Sequence, residues 1–200
     1  MIDSGKLPQI PIYLDAPLAE RITEVFRTYR SLFNADAQKE FLRGDIFSFP
    51  GLEVVKHYSD EIHRASGPKV IIAGAGMSSG GRIRSHEKRY LSDPKAAVLF
   101  SGYQAPGSLG RRIQDGQKKV SIDGEHVTVR ASISTLTGYS GHKDRDGLLQ
   151  FVESAGESLE KVFVVMGEPK ASNFLAQRIK DFLGVDAVVP QQGAAVEIDL

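Results

Sequence analysis

Twice before Gln114 a short apolar run gives way to a glycine-rich stretch and then to a segment with helical spacing. Lys69 to Ala73 leads into Gly74 to Gly81 and a helix from Arg82 to about Leu91. Ala96 to Phe100 leads into the loop Gly102 to Gly107 and a helix through Ile113. Alternation of this kind predicts an α/β fold with a parallel sheet covered by helices on both faces. In such sheets the loops leaving the C-terminal strand ends gather at one edge, where ligands bind. The most glycine-rich stretches of the chain are therefore expected to be neighbours.

The rest of the chain reads around this frame. Ile10 to Leu14 is a short strand, with Asp15 as a helix cap and Pro17 in the first helical turn. Leu18, Ile22, Val25, Phe26, Tyr29, Leu32 and Phe33 follow at helical spacing. Asn34 caps a second helix ending near Gly44, Phe47 and Phe49 belong to packing, and a third helix is expected from Ser59 to Ala65. Lys118 to Ile122, the turn Asp123-Gly124 and Glu125 to Ser134 form a hairpin, with Val127, Val129, Ala131 and Ile133 on one face. A loop from Gly138 to His142 precedes a helix from Asp144 to about Val152. Val162 to Val165 is a strand, Pro169 to Leu183 an amphipathic helix, and short strands follow at Ala187 to Val189 and Val196 to Ile198. A boundary is expected near residue 120, giving segments 1–120 and 121–200.

Composition narrows the functions. Twenty-five basic and 25 acidic residues give zero formal net charge, so a polyanion would have to be held by a local patch. The absence of cysteine removes disulfides and thiolate metal sites. No apolar run approaches the roughly 20 residues that span a bilayer, and Met1 to Pro11 lacks the pattern of a secretory signal. A cytoplasmic protein without membrane contact is expected.

Three stretches carry candidate chemistry. In Gly74-Ala75-Gly76-Met77-Ser78-Ser79-Gly80-Gly81-Arg82, backbone N–H groups and a helix start would converge on an anion, with Ser78, Ser79, Gly80, Arg82 and Arg84 as further contacts. The spacing is neither Gly-x-Gly-x-x-Gly nor a P-loop, and a tight ligand-free connection fits it as well. In Gly102 to Arg112, Tyr103 offers a stacking face for a base, Arg111 or Arg112 could pair with phosphate, and Gln104 is a further candidate contact; packing and a solvated helix face are the alternatives. In Gly138 to Asp146, His142 stands in a small-residue loop before a helix, with Ser140 beside it. An imidazole there suits proton transfer near neutral pH, or simply caps and packs. His57, His63, His86 and His126 show no metal-ligand spacing, and His86, on the helix after the glycine loop, is expected on a solvated face, with a position facing RNA as the alternative.

Taken in order, four segments resemble the β-CASP branch of the metallo-β-lactamase-fold nucleases. They are Pro11 to Ala19, Gly76 to Ile83, Leu99 to Arg111 and Gly138 to Leu148. The resemblance implies RNA phosphodiester hydrolysis with two zinc ions, and a β-CASP region inserted into the core. Residues 1–120 would be the later part of the β-CASP domain, and 121–200 the C-terminal RNA-specificity segment of the core. His142 matches the family's general acid, and RNA is the implied partner.

Two departures stand out. No His-x-His-x-Asp-His ligand string occurs in the 200 residues, and Met166-Gly167-Glu168 stands where the family has His-Gly-Glu. A thioether is a poor ligand for hydrolytic zinc. The expectation is a chain that holds no zinc alone and is inactive alone. It would be completed by a complementary metallo-β-lactamase half, or associate with a second copy. The alternative is a non-catalytic RNA-binding or protein-interaction module.

Overall fold

The computed structural model describes residues 8–56 and 61–197 and divides into two compact units, residues 1–139 and 140–200. In the first unit, β1 (Ile12–Asp15), β2 (Leu52–Val54) and β3 (Val70–Ala73) form a parallel sheet in the order β2-β1-β3. Between β1 and β2 lie α1 (Pro17–Thr28), a 3-10 turn (Arg30–Leu32) and α2 (Ala35–Arg43). Pro17 opens α1, whose N-cap is Ala16 without a side-chain cap; Asp15 is committed elsewhere. Asn34 accepts from the Ala37 N–H at 2.9 Å and caps α2 as expected. Phe47 packs on Phe26 and Phe41, at 6.0 and 5.9 Å between ring centroids. The apolar stripe of α1 is open instead of buried, with Leu18 63% and Val25 55% exposed.

After α3 (Glu61–Arg64) and β3 come α4 (Ile83–Tyr90), β4 (Ala97–Phe100) and α5 (Leu109–Gln114). The expected start of α3 at Ser59, like His57, lies outside the described residues. The long second arm of the hairpin is two strands. β5 (Lys119–Ile122) pairs antiparallel with β6 (Glu125–Thr128), whereas β7 (Ser132–Thr135) turns away to pair in parallel with β4. The break is held because the Arg130 and Ala131 N–H groups both donate to Leu91 O, at 2.8 and 3.0 Å. Val127 and Ala131, one on either side of the break, remain buried with Leu91, Phe100, Ile113 and Ile122 in this unit's core. Alternation thus predicted the buried face but not the change of partner.

In the second unit, α6 (Arg145–Glu153) starts on the Asp144 side chain, which accepts from Gly147 N–H at 2.8 Å. β8 (Lys161–Phe163) and β9 (Asp186–Val188) pair in parallel, joined through α7 (Pro169–Leu183). Val164, Ala176, Ile179 and Ala187 form its core. Val196 and Glu197 are not in a strand, and Ile198 lies outside the described residues. Among the described residues no helix is long and apolar enough to cross a membrane.

Candidate nucleic-acid interface

The chain leaves β3 into the glycine-rich turn, and local sterics account for its composition. Gly81 has φ +74°, and a Cβ there would lie 2.5 Å from Gly74 O, so no other residue fits without backbone movement. The turn is closed by Ala75 N–H to Gly80 O at 3.2 Å and Ile83 N–H to Gly74 O at 3.0 Å. Ser78 is itself left-handed, at φ +55°. Its side chain is turned inward, 1% exposed, and its Oγ donates to Glu87 on α4. Ser79 and Gly80 form the outer part of the turn, Ser79 exposed and Gly80 half-buried.

Glu87 is buried, and its second carboxylate oxygen has no hydrogen-bond partner. Burial pushes its carboxyl above the ordinary carboxylate range, only partly opposed by the Ser78 hydroxyl and the Arg84 charge.

Arg82 reaches back to β1, donating to Asp15 Oδ1 and to Val55 O at 3.2 Å. Asp15 Oδ2 lies 2.8 Å from His86 Nε2, and both side chains are buried. His63 lies against His86 with the rings tilted by 54° and 5.1 Å between centroids, and its Nδ1 lies 3.1 Å from the Tyr90 hydroxyl. The expectation of a solvated His86 is therefore corrected: it is 4% exposed, held inward by the Asp15 carboxylate. Asp15, read as a helix cap, is the centre of this cluster. Neither role had a signal in local spacing, because the partners lie about seventy positions away in the chain.

Arg84 pairs with Asp123 in the hairpin turn at 2.8 Å. Arg111 pairs with Asp115 one helical turn on, at 3.0 Å. The two glycine-rich loops do meet. Gly110 N–H donates to Met77 O at 3.1 Å, and Gln104 Nε2 donates to Gly76 O at 2.8 Å. Gln104 is 2% exposed, whereas Tyr103 beside it is 58% exposed. Ser108 caps α5 by accepting from Arg111 N–H at 3.1 Å. The exposed side chains of this edge include Met77, Ser79 and Tyr103, with Arg84 and Arg111 half-buried and ion-paired.

In the second unit, His142 stands in an exposed loop. Its Nδ1 lies 3.3 Å from Ser140 Oγ, which also accepts from the His142 N–H at 3.2 Å. The same small turn therefore orients both the backbone and the ring. On α6, the Arg145 guanidinium bonded to Asp146 holds that carboxyl below its ordinary range. Met166 is fully exposed and left-handed, at φ +65°. Gly167 after it lets α7 approach closely, since a Cβ there would meet Ser172 Oγ at 2.4 Å. Among the described residues no three His, Asp or Glu side chains gather closely enough to hold a metal ion. The described residues do not by themselves gather the ligands of a zinc centre.

The first unit is thus a parallel α/β unit with two joined glycine-rich loops, and the second a small α/β unit that opens on a histidine loop. Family comparison supplies the class of protein. Residues 1–113 match the β-CASP domain, and residues 126–190 match the Zn-dependent metallo-hydrolase RNA specificity domain. The chain belongs to the β-CASP metallo-β-lactamase family of RNA nucleases.

Among its relatives, a ribonuclease of Thermus thermophilus is 45% identical over 166 residues, covering 82% of this chain and 38% of that protein. Transcription termination factor FttA of Methanosarcina mazei is 32% identical over 194 residues, covering 92% of this chain and 30% of the factor. Integrator complex subunit 11 of Gallus gallus is 26% identical over 189 residues, covering 94% of this chain and 30% of the subunit. The chain therefore spans well under half the length of these relatives.

Proposed function

We propose that this chain is the RNA-gripping and proton-donating part of a zinc-dependent ribonuclease, with the metal-holding residues lying outside these 200 residues. The observation that carries the reading is the joined pair of glycine-rich loops, with Ser79 and Tyr103 exposed along it. Ser79 and the half-buried Gly80 would meet phosphate, Tyr103 would stack on a base, and Arg84 and Arg111 would supply charge. Ser78, Gln104 and Arg82 would act from behind, by shaping the loops.

His142 is proposed as the general acid for the leaving oxygen, with Ser140 fixing its ring. Zinc, when bound by the complete site, supplies an activated water and charge stabilisation at the phosphate. Met166 is an unfit ligand at the position where relatives are expected to carry histidine, so zinc is not expected on this chain alone. The family-model spans fit a division near residue 120 into a β-CASP part and an RNA-specificity part. A cytoplasmic location is part of the proposal.

The exposed Leu18, Ile22, Val25 and Tyr29 stripe favours a second component, either a complementary metallo-β-lactamase half or a second copy. It equally supports the second reading, an interaction module derived from such a nuclease. Purified protein titrated with a short fluorescent single-stranded RNA tests the first reading. Binding that weakens about tenfold on replacing both Ser79 and Tyr103 by alanine is expected. Unchanged affinity in that double variant sinks the RNA-gripping reading and favours the interaction module.

A further inference from the structure

We infer that Gln104 is a positioning residue that sets the register between the two glycine-rich loops and so determines whether Tyr103 can stack on RNA. The inference rests on the RNA-gripping reading above and assigns within it a role that substrate contact cannot fill. At 2% exposed, the Gln104 side chain is closed to a nucleotide, while its backbone neighbour Tyr103 is 58% exposed.

The amide faces two carbonyls belonging to different loops. Its Nε2 donates to Gly76 O at 2.8 Å and to Gly102 O at 3.1 Å. Both are acceptors, so the orientation of the amide is dictated by its surroundings: only the nitrogen can face them. Each of its two hydrogens has a partner, one on the turn after β3 and one on the loop after β4. A glutamate in its place would set a carboxylate against two carbonyl oxygens, and an apolar side chain would leave both carbonyls without a donor.

The opposite side of the amide explains a second residue. Gln104 Oε1 is buried without a donor and lies against Gly110, where a Cβ would approach it to 1.9 Å. That same Cβ would lie 3.1 Å from Met77 O, the acceptor of the Gly110 N–H. A side chain at position 110 would therefore have to displace the Gln104 amide from the place it occupies. One amide and one missing methyl together fix the distance between Met77 and Tyr103, the exposed residues on either loop. The energetic logic is preorganisation: a stacking ring held in place before binding does not have to be ordered by the ligand.

The chain contains no tryptophan, so Tyr103→Trp makes a single-tryptophan reporter at the proposed stacking position. The probe is a short single-stranded oligoadenylate, read by tryptophan quenching for stacking and by anisotropy of a labelled strand for affinity. If the Y103W chain neither binds nor is quenched, the RNA-gripping reading fails. If it binds with quenching, Gln104→Met, Gln104→Asn and Gly110→Ala in that background are expected to weaken affinity about tenfold and to remove most of the quenching. Ile113→Val, a cavity in the same unit's core, serves as the stability control and is expected to lower Tm while leaving quenching and affinity in place. Retained quenching and affinity in the Gln104 variants overturn the inference while leaving RNA binding intact. So does failure of both Gln104 variants to fold cooperatively, since the glutamine would then be a folding residue and not a positioning one.

Discussion

Asp15 Oδ2 and His86 Nε2 lie 2.8 Å apart with both side chains buried, joining the end of β1 to the middle of α4. The other oxygen of the same carboxylate takes the Arg82 guanidinium. A single acid thus holds the first turn and the centre of the helix that carries the glycine-rich turn. Burying a carboxylate is costly unless it is paired and hydrogen-bonded, and here both oxygens are occupied. Replacing Asp15 with alanine would leave two donors facing a void. The Asp15→Ala variant is expected to lose about 3 kcal/mol of stability. Urea unfolding of the two chains measures it, and a loss below about 1 kcal/mol would mean the cluster is not the anchor of α4.

Glu87 gives a pH signature of opposite kind to an ordinary surface carboxylate. Burial raises its folded-state pKa, so the unfolded chain ionises it first. Its contribution to stability is fully present below the ordinary carboxylate pKa and is lost as pH rises through the raised folded value. Glu87→Gln keeps the shape and can accept from the Ser78 hydroxyl without ionising. The difference in stability between E87Q and the parent is therefore expected to shift in favour of E87Q as pH rises from about 4 towards neutrality. Denaturation at several pH values reads this directly, and a difference independent of pH would show that Glu87 titrates alike in both states.

The salt dependence of RNA binding separates charges that face the ligand from charges that hold the fold. Arg82 belongs to the Asp15 cluster, whereas Arg84 and Arg111 pair with the more exposed Asp123 and Asp115. Arg111 also donates to Gln104 O at 3.4 Å, but pairs with partly exposed carboxylates are weak, so each guanidinium is expected to be able to turn to a phosphate. Replacing Arg84 and Arg111 with glutamine is expected to flatten the slope of log affinity against log salt by about 1.4, some 0.7 for each phosphate of a single strand that is no longer neutralised. Titrations across a salt series test it; an unchanged slope would remove both arginines from the interface.

Much of this arrangement was legible in the sequence where the signal is local. Pro169 to Leu183 is a helix with the predicted bounds, and Asn34 and Asp144 cap as their positions suggest. The two strand–glycine–helix passages were equally legible, because Gly81 answers a steric demand inside its own turn. Long-range pairing left no such mark. Asp15 looks like a cap from its neighbours and becomes a buried anchor only because Arg82 and His86 arrive from far along the chain. β2 is three residues long, and the Val127 to Ile133 alternation conceals the break at which β7 leaves for β4. Ser78 and Gln104 read as donors, and direction alone, which composition does not encode, turns them inward.

Zinc hydrolases hold each ion with several histidine or carboxylate ligands, and removing the ion from a structural or catalytic site usually weakens the fold around it. Among the described residues no such group of ligands forms, and Met166 offers only a neutral sulfur on a fully exposed side chain. The purified chain is therefore expected to contain less than one zinc per molecule by elemental analysis. Its Tm and RNA affinity should not change on dialysis against a chelator, and it should not cleave single-stranded RNA. Met166→His alone should not restore activity, because one imidazole cannot hold a hydrolytic ion without the remaining ligands. Stoichiometric zinc together with chelator-sensitive cleavage would show that this polypeptide completes its own metal centre.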